Sequence, residues 1–137
     1  MPEDPGGVFA SIPLFPVVAH AGFPNPTDDY AESPLNLHDL VVRHPHATFF
    51  IRIKGDSMRG ACITSGDVVV VDRALTASHN KIVVARVGDT LLLKRVRIQQ
   101  RKIFLLSDPS ELPVIELRQQ DDMEIWGVVT YCVHRLK

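Results

Sequence analysis

From Thr48 onward the apolar residues fall in short runs separated by Gly, Asp, Asn and Pro, a spacing that predicts strands. Thr48–Lys54 is rich in Phe and Ile, and Val68-Val69-Val70-Val71 is a continuous β-branched run of the kind buried on both faces of a sheet. Lys81–Val87 and Thr90–Ile98 flank Gly88-Asp89, a two-residue hairpin signal. Lys102–Leu106 and Met123–Val133 supply the remaining strands. A helical period occurs in residues 35–44, where Leu37, Leu40, Val41 and His44 form one stripe and Pro45 ends it. Ahead of it, seven of the ten prolines crowd residues 1–34, which therefore read as an extended arm. The apolar stretch Ser11–Val18 within that arm predicts packing against its own domain or a partner. The fold class expected is mostly β: compact, of antiparallel strands, with one short N-terminal helix and an extended N-terminal arm.

Composition narrows the function. At 137 residues and 45% hydrophobic content, the chain is long enough for one domain with a real core. A formal charge of −1 gives no general polyanion-binding surface, so direct sequence-specific nucleic-acid binding is not expected. Cys62 and Cys132 are too few for a disulfide scaffold. Apolar runs of about five residues fall far short of the roughly 20 that span a bilayer. The acidic, Pro-rich start Met1-Pro2-Glu3-Asp4-Pro5 is unlike a leader. A cytoplasmic protein without a membrane contact is the expectation. His44-Pro45-His46 lacks a neighbouring cysteine or carboxylate cluster, and no glycine-rich phosphate loop occurs, so neither a metal nor another cofactor is expected.

Two residues carry candidate chemistry. Ser57 stands in Gly55-Asp56-Ser57-Met58, where Gly55 permits a sharp turn that exposes the hydroxyl and aligns successive N–H groups. The N–H groups of Asp56 and Ser57 are candidates for an oxyanion hole. Lys94 follows 37 residues later in a strand whose one face carries Leu92, Lys94, Val96 and Ile98, with Arg95 and Arg97 solvated on the other. An amine held among apolar side chains is costly to charge and becomes a base that can activate a serine. Plainer readings stand beside these: a turn serine, and a strand lysine whose head snorkels to water. Asp56, Asp67 and Asp72 read as turn and strand-end residues, His79 as structural, and Cys62 as a small buried hydrophobe beside Ile63. Upstream, Ala21-Gly22 offers a small residue and a glycine, a pair whose backbone can enter a tight cleft.

These stretches resemble the LexA/UmuD group of self-cleaving serine-lysine peptidases, and its UmuD branch most. The resemblance rests on Ala21–Pro26, Asp29-Tyr30, Leu35-Asn36-Leu37, His44–Phe50, Gly55–Met58, Ser65-Gly66-Asp67, Val71-Asp72, Leu75–His79, Lys94 and Gly127-Val128-Val129. It implies Ser57 as nucleophile, Lys94 as general base and Ala21-Gly22 as the scissile bond. It further implies a removable arm (1–21), a linker with a short helix (22–45) and a β-rich peptidase domain (46–137). The roles it implies are a homodimer, activation by a RecA filament on single-stranded DNA, and service as accessory subunit to a UmuC-like Y-family polymerase in SOS mutagenesis. The alternative is a non-catalytic dimeric β adaptor. The stretch Ser107–Ile115 departs from that branch, which usually carries an Asn and an aromatic there.

Overall fold

A computed structural model describes residues 12–14, 34–111 and 113–136. The chain divides into two compact units, Met1–Val41 and Val42–Lys137.

In the first unit, β1 (Ile12–Pro13) pairs antiparallel with β2 (Pro34–Leu35), Ile12 opposite Leu35. Asn36 then starts α1 (Leu37–Val41), its Oδ1 accepting the Asp39 N–H at 3.1 Å. The helix is half the length expected. Leu35 belongs to a strand, and His44 lies outside with non-helical dihedrals (φ −128°, ψ 84°). Pro45 bars the residue before it from helical geometry, and the β-branched Val41-Val42 pair weakens the helix just ahead. The expected apolar stripe does not seal a core, for Leu37 and Leu40 are exposed.

The second unit is built on one antiparallel sheet. Its strands are β3 (Thr48–Arg52), β4 (Val68–Asp72), β5 (Ile82–Val87), β6 (Thr90–Gln99), β7 (Lys102–Leu106), β8 (Ile115–Leu117) and β9 (Met123–Val133). The order across the sheet is β3-β4-β9-β5-β6-β7-β8, so the last strand in sequence lies in the interior. The Gly88-Asp89 hairpin forms as expected, with Val87 opposite Thr90. The short strand β8 was not foreseen: three residues beyond Pro109 and Pro113 carry too little pattern to read.

Side chains of β5 alternate between two cores. Val84 packs with Met58, Ile63, Val69 and Val71, whereas Val83 and Ala85 pack with Val96, Leu105 and Val128. Burial on both faces explains the unbroken β-branched runs. β9 departs from regular register twice, opposite Val70/Val71 and opposite Val84/Ala85. Such irregularities bend and twist a strand. The sheet curls accordingly: β3 and β6, with three strands between them, line the same cleft.

Buried carboxylates stand at both ends of β4. Asp67 accepts from the Thr64 N–H (2.9 Å) and lies 2.7 Å from His134 Nδ1, and these two contacts hold it below its ordinary 3.8. Burial alone raises Asp72, but His44 Nδ1 at 2.6 Å and the Ala74 N–H at 2.8 Å outweigh it and leave the carboxyl lowered. A carboxyl lowered by folding contributes stability above its unfolded pKa and loses it as pH falls through the folded value. Urea midpoints are therefore expected to fall steeply below about pH 4. Asp72→Asn is expected to make that acid limb shallower.

Candidate active site

The turn that carries Ser57 is fixed from both sides. Gly55 adopts φ +99°, a conformation that side chains rarely take. Its N–H donates to Ser65 Oγ at 3.2 Å, and the Ser65 N–H donates to Asp56 Oδ1 at 3.1 Å. Immediately after Ser57, Met58 is 2% exposed and plugs the core formed by Ile63, Val69, Val71 and Val84. Ser57 is thus pinned between a braced turn and a buried peg, and it remains half-buried at the surface of a cleft. Among the described residues, the N–H groups of Asp56 and Ser57 have no hydrogen-bond acceptor, the state an oxyanion hole requires. A short 3-10 turn, Arg59–Ala61, follows and ends on Cys62 in the left-handed region (φ 63°). Cys62 is exposed, not buried as its neighbour Ile63 led one to expect. The positive φ turns its side chain out while Ile63 turns in.

Lys94 is 5% exposed. The snorkelling reading does not fit a residue so buried, whose Nζ donates to a buried side chain. Burial pushes the ammonium below its ordinary 10.5, favouring the neutral amine. Lys94 lies opposite Val83 on β5. Both Ser57 and Lys94 line a cleft of about 300 Å³, with Ile51 and Ile53 on one wall and Leu91 to Leu93 on the other. The hydrogen bond that Lys94 Nζ makes is not to Ser57. It donates to Ser107 Oγ at 3.0 Å, and Ser107 is itself 4% exposed. Unliganded sites often hold their catalytic hydrogen bonds open until substrate binds.

Ser107 and its neighbour Asp108 are what sequence reasoning missed. The β6–β7 register runs Gln99 opposite Lys102 to Arg95 opposite Leu106, and one further step sets Ser107 opposite Lys94. Counting back from the hairpin would have found it, but that turn uses Gln100 (φ 49°) and Arg101 (φ 64°) and carries no glycine to announce it. Asp108 accepts Arg95 Nη2 at 2.7 Å, so Arg95 is not the solvated residue expected. His79 is structural as read, its Nδ1 accepting the Ile98 N–H at 2.9 Å. Cys132 is no thiolate: although the residue is exposed, partial burial of its sulfur and the Asp67 carboxylate push it up to about 11. The described residues hold no cluster able to bind a metal ion. None of their helices is long and apolar enough to cross a membrane. The Ala21-Gly22 pair lies outside the described residues.

A turn-borne serine and a buried lysine lowered by that burial, both lining one cleft in a curled antiparallel sheet, are joined by a sequence match to the Peptidase S24-like family over residues 13–130. The chain belongs to the Peptidase S24-like family. Among similar proteins, the Protein MucA of Salmonella typhimurium is 44% identical over 122 residues, covering 88% of this chain and 83% of MucA. The Protein ImpA of Shigella flexneri is 38% identical over 137 residues, covering 99% and 93% of the two chains. The LexA repressor of Pseudomonas chlororaphis is 31% identical over 127 residues, covering 92% of this chain but 62% of the repressor. The resemblance drawn from motifs is thus borne out for the whole S24-like domain, and its mostly antiparallel β architecture is the one expected.

Proposed function

We propose that this S24-like protein is a self-cleaving serine endopeptidase of the UmuD kind, cutting its own Ala21–Gly22 bond with Ser57 and Lys94. One observation carries the reading: an amine 5% exposed, lowered by burial, lines the same cleft as a serine on a braced turn. Ser57 Oγ attacks the Ala21 carbonyl carbon while its proton passes to Lys94 Nζ. The developing oxyanion meets the N–H groups of Asp56 and Ser57. Lys94 then returns the proton to the departing Gly22 amine, leaving Ala21 as an ester on Ser57. Lys94 next takes a proton from water as its oxygen attacks that ester, and then returns the proton to Ser57 Oγ as the acid is released, restoring the hydroxyl and the neutral amine. Because the substrate is tethered, weak intrinsic docking suffices.

In this reading residues 1–21 are shed as the arm and residues 22–45 act as linker ahead of the domain. The processed form, 22–137, serves in the cytoplasm as a homodimeric accessory subunit of an error-prone translesion polymerase of the Y family. A RecA filament on single-stranded DNA accelerates cleavage by favouring the docked arm. The chain covers 83% of MucA and 93% of ImpA but 62% of the LexA repressor, which supports this over a stand-alone repressor.

The test is intact mass after incubation at pH 10, with Ser57→Ala alongside. A species beginning at Gly22 is expected from the wild type and is absent from the variant. Should the wild type stay whole even with RecA, single-stranded DNA and nucleotide, the adaptor reading replaces this one.

A further inference from the structure

The stretch Ser107–Ile115 begins with the two residues that tie the halves of the site together. Ser107 accepts a hydrogen bond from Lys94 Nζ at 3.0 Å, both residues being buried. The Asp108 N–H donates to the Ser57 carbonyl at 3.0 Å, and the Asp108 carbonyl accepts the Gly60 N–H at 2.7 Å. The Asp108 carboxylate is held by Arg95 through Nη2 at 2.7 Å and Nε at 3.3 Å. Two adjacent residues of β6, Lys94 and Arg95, therefore grip two adjacent residues beyond β7, and the second of these, Asp108, grips the serine turn. The fit is close: a Cβ at Gly60 would stand 2.4 Å from Asp108 Oδ1 and 2.9 Å from its carbonyl carbon and oxygen.

We propose that Ser107 and Asp108 are positioning residues for the Ser57–Lys94 site, Ser107 orienting the amine of Lys94 and Asp108 fixing the turn that presents Ser57. This rests on the reading of Ser57 as nucleophile and Lys94 as base. A neutral amine has one lone pair. An N–H committed to Ser107 Oγ limits the directions in which that lone pair can point, and the reaction needs it aimed at Ser57. The groups around Lys94 are Val83 from β5, Ser107 after β7, and Ser57, Met58, Arg52 and Lys54 along the cleft. Arg52 is engaged by the Gly66 carbonyl, and Arg95 and Asp108 pair with each other.

The role makes a signed prediction. A hydroxyl oxygen accepts more strongly from an ammonium than from an amine. Ser107→Ala is therefore expected to move the midpoint of the cleavage–pH profile to lower pH, and to cut its alkaline plateau by about 10- to 100-fold through lost aim. Simple loosening would admit water and move the midpoint up. Ser107→Thr restores the hydroxyl and is expected to return both features toward wild type. Asp108→Ala leaves the amine its partner, so the plateau falls and the midpoint stays. An unchanged plateau in both alanine variants overturns the proposal, as does an upward midpoint in Ser107→Ala. So does cleavage by Ser57→Ala with none by Ser107→Ala, which would make Ser107 the nucleophile.

A second readout needs no cleavage. The Lys94 ¹³Cε shift, titrated in the Ser57→Ala protein with and without Ser107→Ala, is expected to show a lower midpoint when the hydroxyl is gone. An equal or higher midpoint overturns the proposal. If the wild type fails to cleave, the endopeptidase reading falls, while this titration still tests what Ser107 does to the amine.

Discussion

Lys94→Met is expected to stop cleavage at Ala21–Gly22 from pH 7 to pH 10 while leaving the protein as stable as the wild type or more so. Methionine keeps the length and the apolar stem of lysine, so the buried site stays filled. What disappears is the base, and general acid–base assistance of this kind contributes about 10²–10⁴-fold in rate. The stability half of the prediction follows from linkage. Burial lowers Lys94 in the folded state, so between the folded and unfolded values the unfolded chain binds a proton that the native chain does not. Stability from this group therefore rises with pH over that window and is least below it. The methionine variant lacks the penalty, and its advantage should be largest near neutrality and shrink toward pH 10. Intact-mass time courses and denaturant midpoints across that range check both halves. A variant that still cut at a tenth of the wild-type rate would remove Lys94 from the chemistry.

Met58→Ala is expected to cost about 2–5 kcal/mol, the range for truncating a fully buried large side chain. Met58 is 2% exposed and touches residues from β4, β5 and the loop between β3 and β4, so little nearby can collapse into the space. Its position next to Ser57 adds a second effect. Once the peg is gone the serine turn is held by the Ser65 bonds and by Asp108 alone, and cleavage should slow by more than the loss of folded protein explains. Met58→Leu, which conserves volume, should cost under about 1.5 kcal/mol and keep the rate. Urea unfolding together with cleavage rates under strongly native conditions separates the two contributions.

The strands were legible because their signal is local. Val68–Val71 is β-branched throughout, and Gly88-Asp89 marks a hairpin, so the placement of β4, β5 and β6 followed from the residues themselves. Lys94 was legible as a candidate for the same reason: period-two alternation put it among leucines and valines. What could not be read depended on distant partners or on backbone angles. The helix fell short because Pro45 and a valine pair outweighed an apolar period. Cys62 faces outward because of a left-handed dihedral that its residue type does not announce. Ser107 met Lys94 across a hairpin whose turn residues, Gln100 and Arg101, are poor signals of a turn. The β9 irregularities that curl the sheet, and so bring β3 and β6 to one cleft, leave no mark in composition at all.

The place of β9 has a consequence for timing. It separates β4 from β5 in the sheet, and so is the seam between the half that carries Ser57 and the half that carries Lys94. During translation both Ser57 and Lys94 leave the ribosome well before the strand that joins their halves. At about 5–20 residues per second the interval lasts a few seconds. A nascent chain in that interval has Ser57 and Lys94 but no common frame to hold them. If the proposed self-cleavage holds, scission of the arm is deferred until synthesis has passed Val133, and a chain stalled or truncated before that point is expected to leave its arm uncut.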